Sequence, residues 1–267
     1  MLKRQFLLEN GNIYLKKCQK LAEFHKIYTN NFLINPKYAY TLPGDKMTIR
    51  KYSILIISLF LISISLFSKV KAIHNDLPLF GKVIFVDPGH GGRDPGTSYG
   101  KIEEKNIVLE ISKELREQLM KQGAIVYMTR ESDEDLSSKW DERKKRGDLY
   151  RRILMYKKYQ ADLYLSIHIN YYSDTTEYGA EVLYNGINPQ NKIFGTILMN
   201  NFKTALGSKR RLKKTDLYMY RNTTVPGVLI ECGFLSNPNE RYLMQKSSYQ
   251  KKLSKIITDS VITYFQN

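Results

Sequence analysis

Cysteine is scarce: only Cys18 and Cys232 occur in 267 residues. Two are too few for a disulfide framework, and with no CxxC spacing they mark no redox or zinc-ribbon site. Histidine is limited to His25, His74, His90 and His168, so any metal site has to borrow carboxylates. Acidic charge is also short, with 26 Asp plus Glu against 42 Lys plus Arg and a net charge of +16. Such a field favours polyanionic partners, although an AT-rich coding bias that inflates Lys, Asn, Ile and Tyr would give the same excess. The aromatic and basic interleaving of an RNA-binding sheet is missing, which disfavours nucleic acid. No internal repeat is visible. What remains is ordinary: 42% hydrophobic, 25% charged, 16 Gly and 8 Pro. That excludes a disordered, collagen-like or multi-span membrane chain and allows one domain plus extras, or two small ones.

One apolar run stands out. From Tyr52 to Phe67 the chain is broken only by Ser53, Ser58, Ser63 and Ser65, and Lys51 and Lys69 bracket it. The bracketed stretch lies at the lower edge of what spans a bilayer as a helix, and export or anchoring is expected. Val70 and Ala72 suit a signal-peptidase site, yet the run exceeds the usual h-region of roughly 7–15 residues. Cleavage and anchoring through residues 52–68 both stay open. Lys37, Lys46, Arg50 and Lys51 assign the N-terminal side to the cytoplasm, with Lys69 and Lys71 weakening the bias, so the chain after residue 72 is expected outside the cytoplasm. Residues 1–46 hold no sustained period and are not expected to form a domain. Met47-Thr48-Ile49-Arg50-Lys51 resembles the n-region of an export signal, and translation is expected to start at Met47. Otherwise residues 1–46 are a cytoplasmic tail with Cys18 as an incidental thiol. The expected division is an extension at 1–46, a signal or anchor at 47–72, a linker at 73–81 and a catalytic domain at 82–267.

From Gly81 onward strands and helices alternate. Lys82–Asp87, Ala124–Thr129, Leu163–Ile169, Ala180–Tyr184 and Val228–Cys232 read as strands. Val108, Ile111, Leu115 and Leu119 mark a helix that Gly123 ends. A strongly basic helix is expected over Trp140–Tyr159 with Leu149, Ile153 and Tyr156 as its inner stripe. Phe194, Leu198 and Phe202 mark another, and Tyr249, Leu253, Ile257 and Val261 a last one. The order implies a single three-layer α/β domain, its largely parallel sheet covered by helices on both faces, preceded by the hydrophobic export or anchor helix. The basic helix reads first as a solvated face, with teichoic acid or lipid headgroups as the alternative ligands.

Ligands of open α/β sheets bind at the carboxyl ends of strands, and three polar clusters fall there. Asp87-Pro88-Gly89-His90-Gly91-Gly92-Arg93-Asp94-Pro95-Gly96 follows the first strand; it lacks the spacing of a phosphate-binding P-loop. In Ser166-Ile167-His168-Ile169-Asn170 the three polar side chains share one face. In Val228–Pro238, Glu231 ends a buried apolar run, a costly placement unless the carboxylate is paired or used. Cys232 faces the other way and reads as packing. A catalytic zinc takes three His or carboxylate ligands and keeps one open position. His90 and His168 supply two, Glu103 or Glu104 the third, and Glu231 suits a general base.

Asp-Pro-Gly-His-Gly-Gly, the Glu-Lys that opens the next helix, Ser-x-His-x-Asn and Glu-x-Gly-Phe-Leu-Ser-Asn occur in this order. Together they resemble the zinc-dependent N-acetylmuramoyl-L-alanine amidases of bacterial peptidoglycan, over residues 82–266. The resemblance implies His90, Glu104 and His168 as zinc ligands, Glu104 being chosen by its pairing with Lys105, and Glu231 as the catalytic carboxylate. The compact layout and Thr129-Arg130-Glu131-Ser132-Asp133 are similar to the sporulation and germination members. This implies stem-peptide removal in spore cortex before a muramic acid deacetylase completes the δ-lactam; an accessory activating protein is a further expected partner. Cys232 departs from the commoner aliphatic residue. Two alternatives remain: a zinc peptidase cutting within the stem peptide, and an inactive membrane-tethered wall-binding protein.

Overall fold

The computed structural model describes residues 54–65, 77–216, 218–221 and 223–267. Residues 54–65 form a helix with exposed apolar side chains, in a unit separate from the one that starts at Ser68. Among the described residues no helix is long and apolar enough to cross a membrane; the rest of the expected signal or anchor at 47–72 lies outside the described residues. The expected extension at 1–46, the Met47 start and Cys18 lie outside the described residues.

In the second unit the apolar runs become β1 (Val83–Pro88), β4 (Ile125–Met128), β5 (Leu163–Asn170), β6 (Glu181–Tyr184) and β8 (Gly227–Phe234). Two-residue strands add β2 (Ser98–Tyr99), β3 (Ile102–Glu103) and β7 (Lys213–Lys214). Six strands form one sheet in the order β4-β1-β5-β8-β6-β7, while β2 and β3 make a separate hairpin. β4, β1, β5 and β8 pair in parallel, as the alternating pattern implied. β6 is the antiparallel member of this largely parallel sheet, pairing antiparallel with β8. The physical reason is the connection: only ten residues lie between β5 and β6, and a parallel return needs a crossover of a dozen or more.

Helices α1 (Glu104–Lys121), α3 (Pro189–Leu206) and α6 (Ser247–Gln266) cover one face. Their apolar stripes, including Ile111, Leu115, Phe194, Leu198, Leu253 and Ile257, pack on alternate strand residues: Ile84, Val86, Leu165, Ile167, Val228 and Ile230. Asn188 starts α3 by accepting the Gln190 amide at 2.9 Å, and Gly207 ends it at φ +67°, the left-handed stop that glycine adopts without a Cβ penalty. The opposite face takes the intervening residues. Phe85, Tyr164 and Leu229 meet Tyr156 of α2 (Lys144–Lys158) and Met219 of α4 (Tyr218–Arg221). Here Tyr156 stacks on Tyr164 at 5.0 Å and meets Phe85 edge-on at 5.0 Å. A short α5 (Pro238–Met244), capped by the Asn237 side chain, completes the fold.

The basic helix starts at Lys144 rather than Trp140, which stands 81% exposed. Asp141 accepts the Ser138 amide at 2.5 Å and pairs with Arg151 at 2.6 Å, closing a turn ahead of the helix. Nor is this helix only a solvated face, since Arg152 is buried beneath the sheet's carboxyl end. Cys232 packs in the apolar cluster as expected, and burial pushes its thiol pKa far up.

Candidate metal centre

The register of the parallel strands assembles the site. β1 stops at Pro88, opposite Ile167 on β5, so the loop that carries His90 opens beside His168. In β5 and β8, His168 is the direct partner of Glu231. Alternation then puts Ser166, His168, Leu229 and Glu231 on the α2 side of the sheet, with Ile167, Ile230 and Cys232 opposite.

Glu104 arrives as the first residue of α1 and is 3% exposed. Its Oε1 lies 3.3 Å from His90 Nε2 and 3.0 Å from His168 Nδ1. The carboxylate is fixed from behind: the Ile169 amide donates to Oε1 at 2.9 Å and the Thr97 amide to Oε2 at 2.9 Å. Glu103, one residue earlier, turns away and pairs with Asn106 and Lys105. Glu103 ends β3 in extended backbone while Glu104 begins the helix, so the two adjacent glutamates leave the chain in different directions and only one reaches the histidines. The imidazoles meet edge to face with centroids 4.9 Å apart.

Burial would raise the Glu104 pKa, but hydrogen bonds and charge from His168 and His90 hold it well below the carboxylate range. Burial alone would lower His90; Glu104 and Asp94, whose Oδ2 lies 3.0 Å from His90 Nδ1, instead raise it above its ordinary value. Glu231 behaves oppositely. Burial, then repulsion from Glu104 and Glu181, pushes it up to about 8, and its buried Oε2 has no protein partner.

Glycine is required where backbone crosses the site. A Cβ on Gly89 would sit 2.3 Å from the His168 ring. At Gly96, with φ +68°, it would meet Glu104 Oε2 and the His90 ring at 2.6 Å. The Gly-rich loop therefore lets main chain pass close to the ligand side chains.

Beneath the loop lies a buried ionic network that the sequence pattern did not reveal. Arg152 Nη1 donates to Asp87 Oδ1 at 2.7 Å, and Arg152 Nε to Asp148 Oδ2 at 2.8 Å. Asp87 also accepts from Thr129 at 2.6 Å and Ser166 at 2.9 Å. Burial opposes the Asp87 charge, but Arg152 and the Thr129 hydroxyl outweigh it and lower its pKa. A faint signal did exist: Arg152 follows Asp148 by one turn and lies within the Leu149, Ile153, Tyr156 stripe.

His90, Glu104 and His168 form a group whose ligand atoms all lie within 4.8 Å of one another. Two imidazoles and a carboxylate are a donor set for zinc, and a tetrahedral ion with bonds of roughly 2.0–2.2 Å separates its ligands by roughly 3.3 Å. The residues present fit such an ion.

Known proteins are similar to this chain over the domain that carries the cluster. The family model described as Amidase_3, N-acetylmuramoyl-L-alanine amidase, matches residues 84–263. The chain is 40% identical to the germination-specific N-acetylmuramoyl-L-alanine amidase of Bacillus subtilis, over 71% of this chain and 82% of that protein. The CwlD amidase of Clostridioides difficile, solved in complex with the GerS lipoprotein, is 31% identical with a TM-score of 0.67, covering 70% of this chain and 99% of that one. The catalytic domain of CwlV, an N-acetylmuramoyl-L-alanine amidase of Bacillus (Paenibacillus) polymyxa, is 26% identical with a TM-score of 0.60, covering 69% and 98%. A single α/β domain with a mostly parallel sheet and this cluster at its carboxyl end defines an amide hydrolase of the cell wall. The chain belongs to the N-acetylmuramoyl-L-alanine amidase family and acts on peptidoglycan.

Proposed function

We propose that the chain is a zinc enzyme with His90, Glu104 and His168 as ligands and Glu231 as its catalytic carboxylate, cutting the bond between N-acetylmuramic acid and L-alanine outside the cytoplasm. The observation that carries the reading is the convergence of two imidazoles on Glu104 Oε1 beside a buried, unpartnered Glu231 Oε2. When bound, zinc supplies Lewis acidity toward water and the scissile carbonyl. Glu231 Oε2 takes the proton from the attacking water and later delivers it to the departing L-alanine amine. The Thr97 and Ile169 amides keep the Glu104 carboxylate oriented. Gly89 and Gly96 leave room for the two histidines to converge.

Similarity to the germination-specific relative supports a part in germination, in keeping with the expected stem-peptide removal in spore cortex. The complex of the Clostridioides difficile neighbour supports an accessory lipoprotein partner. For export, the apolar run from Tyr52 to Phe67 bracketed by Lys51 and Lys69 supports a signal or anchor segment.

The full chain should bind one zinc ion and release free L-alanine amino termini from purified sacculi. His90→Ala and His168→Ala should each abolish zinc retention; full occupancy in both, measured by elemental analysis, contradicts the ligand set. Release of amino termini from inside the stem peptide would favour a peptidase instead. Zinc affinity should also weaken as pH falls, because protons compete for the same atoms. As Glu104 and Asp94 raise the His90 pKa, competition should begin above the ordinary imidazole range. A zinc titration series giving one Kd at all pH values would refute this.

A further inference from the structure

We propose that Arg152, which contributes no ligand atom, is a positioning residue that holds His90 in its metal-ready conformation. The inference rests on the reading of His90 as a ligand. His90 has φ +61°, the left-handed region that a residue with a Cβ disfavours. Such a conformation persists only where its surroundings over-determine it, and here two guanidiniums do so. Arg152 Nη2 donates to His90 O at 2.7 Å, and its Nη1 to Pro88 O at 2.7 Å. Arg130 donates to Pro88 O at 3.2 Å and to Gly89 O at 2.9 Å. Three successive carbonyls leading to the imidazole are thereby claimed.

Both forks are anchored in turn. Arg152 is held by Asp87 and Asp148, and Arg130 by the Ser132 and Lys105 carbonyls. Arg152 thus joins four fixed points: the end of β1, the His90 carbonyl, and the carboxylates of Asp87 and Asp148. A planar guanidinium with five donors can serve all four; an ammonium, a compact charge with three donors, cannot. If the His90 carbonyl is freed, the backbone can relax to negative φ and carry the imidazole away from Glu104 and His168.

Chelator competition for zinc on the full chain, run beside thermal unfolding, separates positioning from plain stabilisation. Arg152→Lys should weaken zinc binding by about 10–100-fold, as loss of an outer-shell partner does, with full loading restored by excess metal. Ser166→Ala removes another partner of Asp87 without touching His90 O; it should lower the unfolding midpoint and leave zinc affinity at the wild-type value. Should Arg152→Lys fail to fold, Asp148→Asn loosens the anchor on Arg152 Nε and Nη2 while keeping an acceptor for the Leu136 amide, and a zinc affinity weaker than that of Ser166→Ala is expected. Wild-type affinity in Arg152→Lys, equal affinity losses in Asp148→Asn and Ser166→Ala, or losses that follow midpoint alone overturn the inference. Failure of the ligand reading would look different, since His90→Ala would then keep its zinc.

Discussion

Glu231→Gln should keep its zinc and lose about 10²–10⁴-fold of its turnover, the usual loss on removing a positioned proton-transfer group. Gln matches Glu in shape but accepts no proton at this position. The carboxylate is the register partner of His168, not a member of the ligand group, so metal content should be unaffected. The defect should fall on kcat more than on substrate binding. Glu104→Gln should do the reverse, weakening zinc and recovering with excess metal, while Glu103→Gln should do neither. Zinc analysis with turnover on sacculi checks all three. Release of zinc by Glu231→Gln together with retention by Glu104→Gln would mean that the two carboxylate roles are exchanged.

Asp87→Asn should be the most destabilising single change near the site. Both partners of the Asp87–Arg152 pair are 1% exposed, and removing one leaves a buried charge short of its counter-ion, at about 3–5 kcal/mol. Asp148 still faces Arg152, which puts the expected loss at the lower end, about 3 kcal/mol. For a domain of this size that is a fall of roughly 6–12 °C in the unfolding midpoint. The sign with pH follows from the depressed folded pKa of Asp87. The wild-type advantage should be complete above the ordinary Asp value, about 3.9, and should fade as pH falls through the lower folded value. Denaturant unfolding of both proteins at pH 7 and pH 3 measures it, and equal stabilities at pH 7 would refute it.

Sequence and structure agree where one-dimensional pattern fixes three-dimensional side. Alternation in Ser166-Ile167-His168 and around Glu231 assigns faces because a strand repeats every two residues, and the strand-to-helix junction separates Glu104 from Glu103. Strand direction was not encoded in the same way: the apolar run of β6 reads alike in either sense, and only the short link from β5 betrays it. The buried Arg152 was hidden for another reason. One arginine among the cations of α2 carries no mark of burial beyond its place in the helix's inner stripe, and its partner Asp87 lies 65 positions away. The four-residue α4 and two-residue β7 are too short to show a period at all.

The far edge of the sheet has a consequence for how molecules of this enzyme meet one another. β7 is two residues long, both of them exposed lysines, and its partner β6 is the last strand before it. An open edge strand is a template on which a second chain can add hydrogen bonds, and length and apolarity make it adhesive. Here the template offers hardly any ladder and presents Lys213 and Lys214 instead. A copy approaching edge-on would have to bring like charges together for very few backbone bonds. At this edge, sheet-to-sheet stacking into aggregates is therefore discouraged by the chain itself, and the same lysines explain why so small a strand suffices to end the sheet.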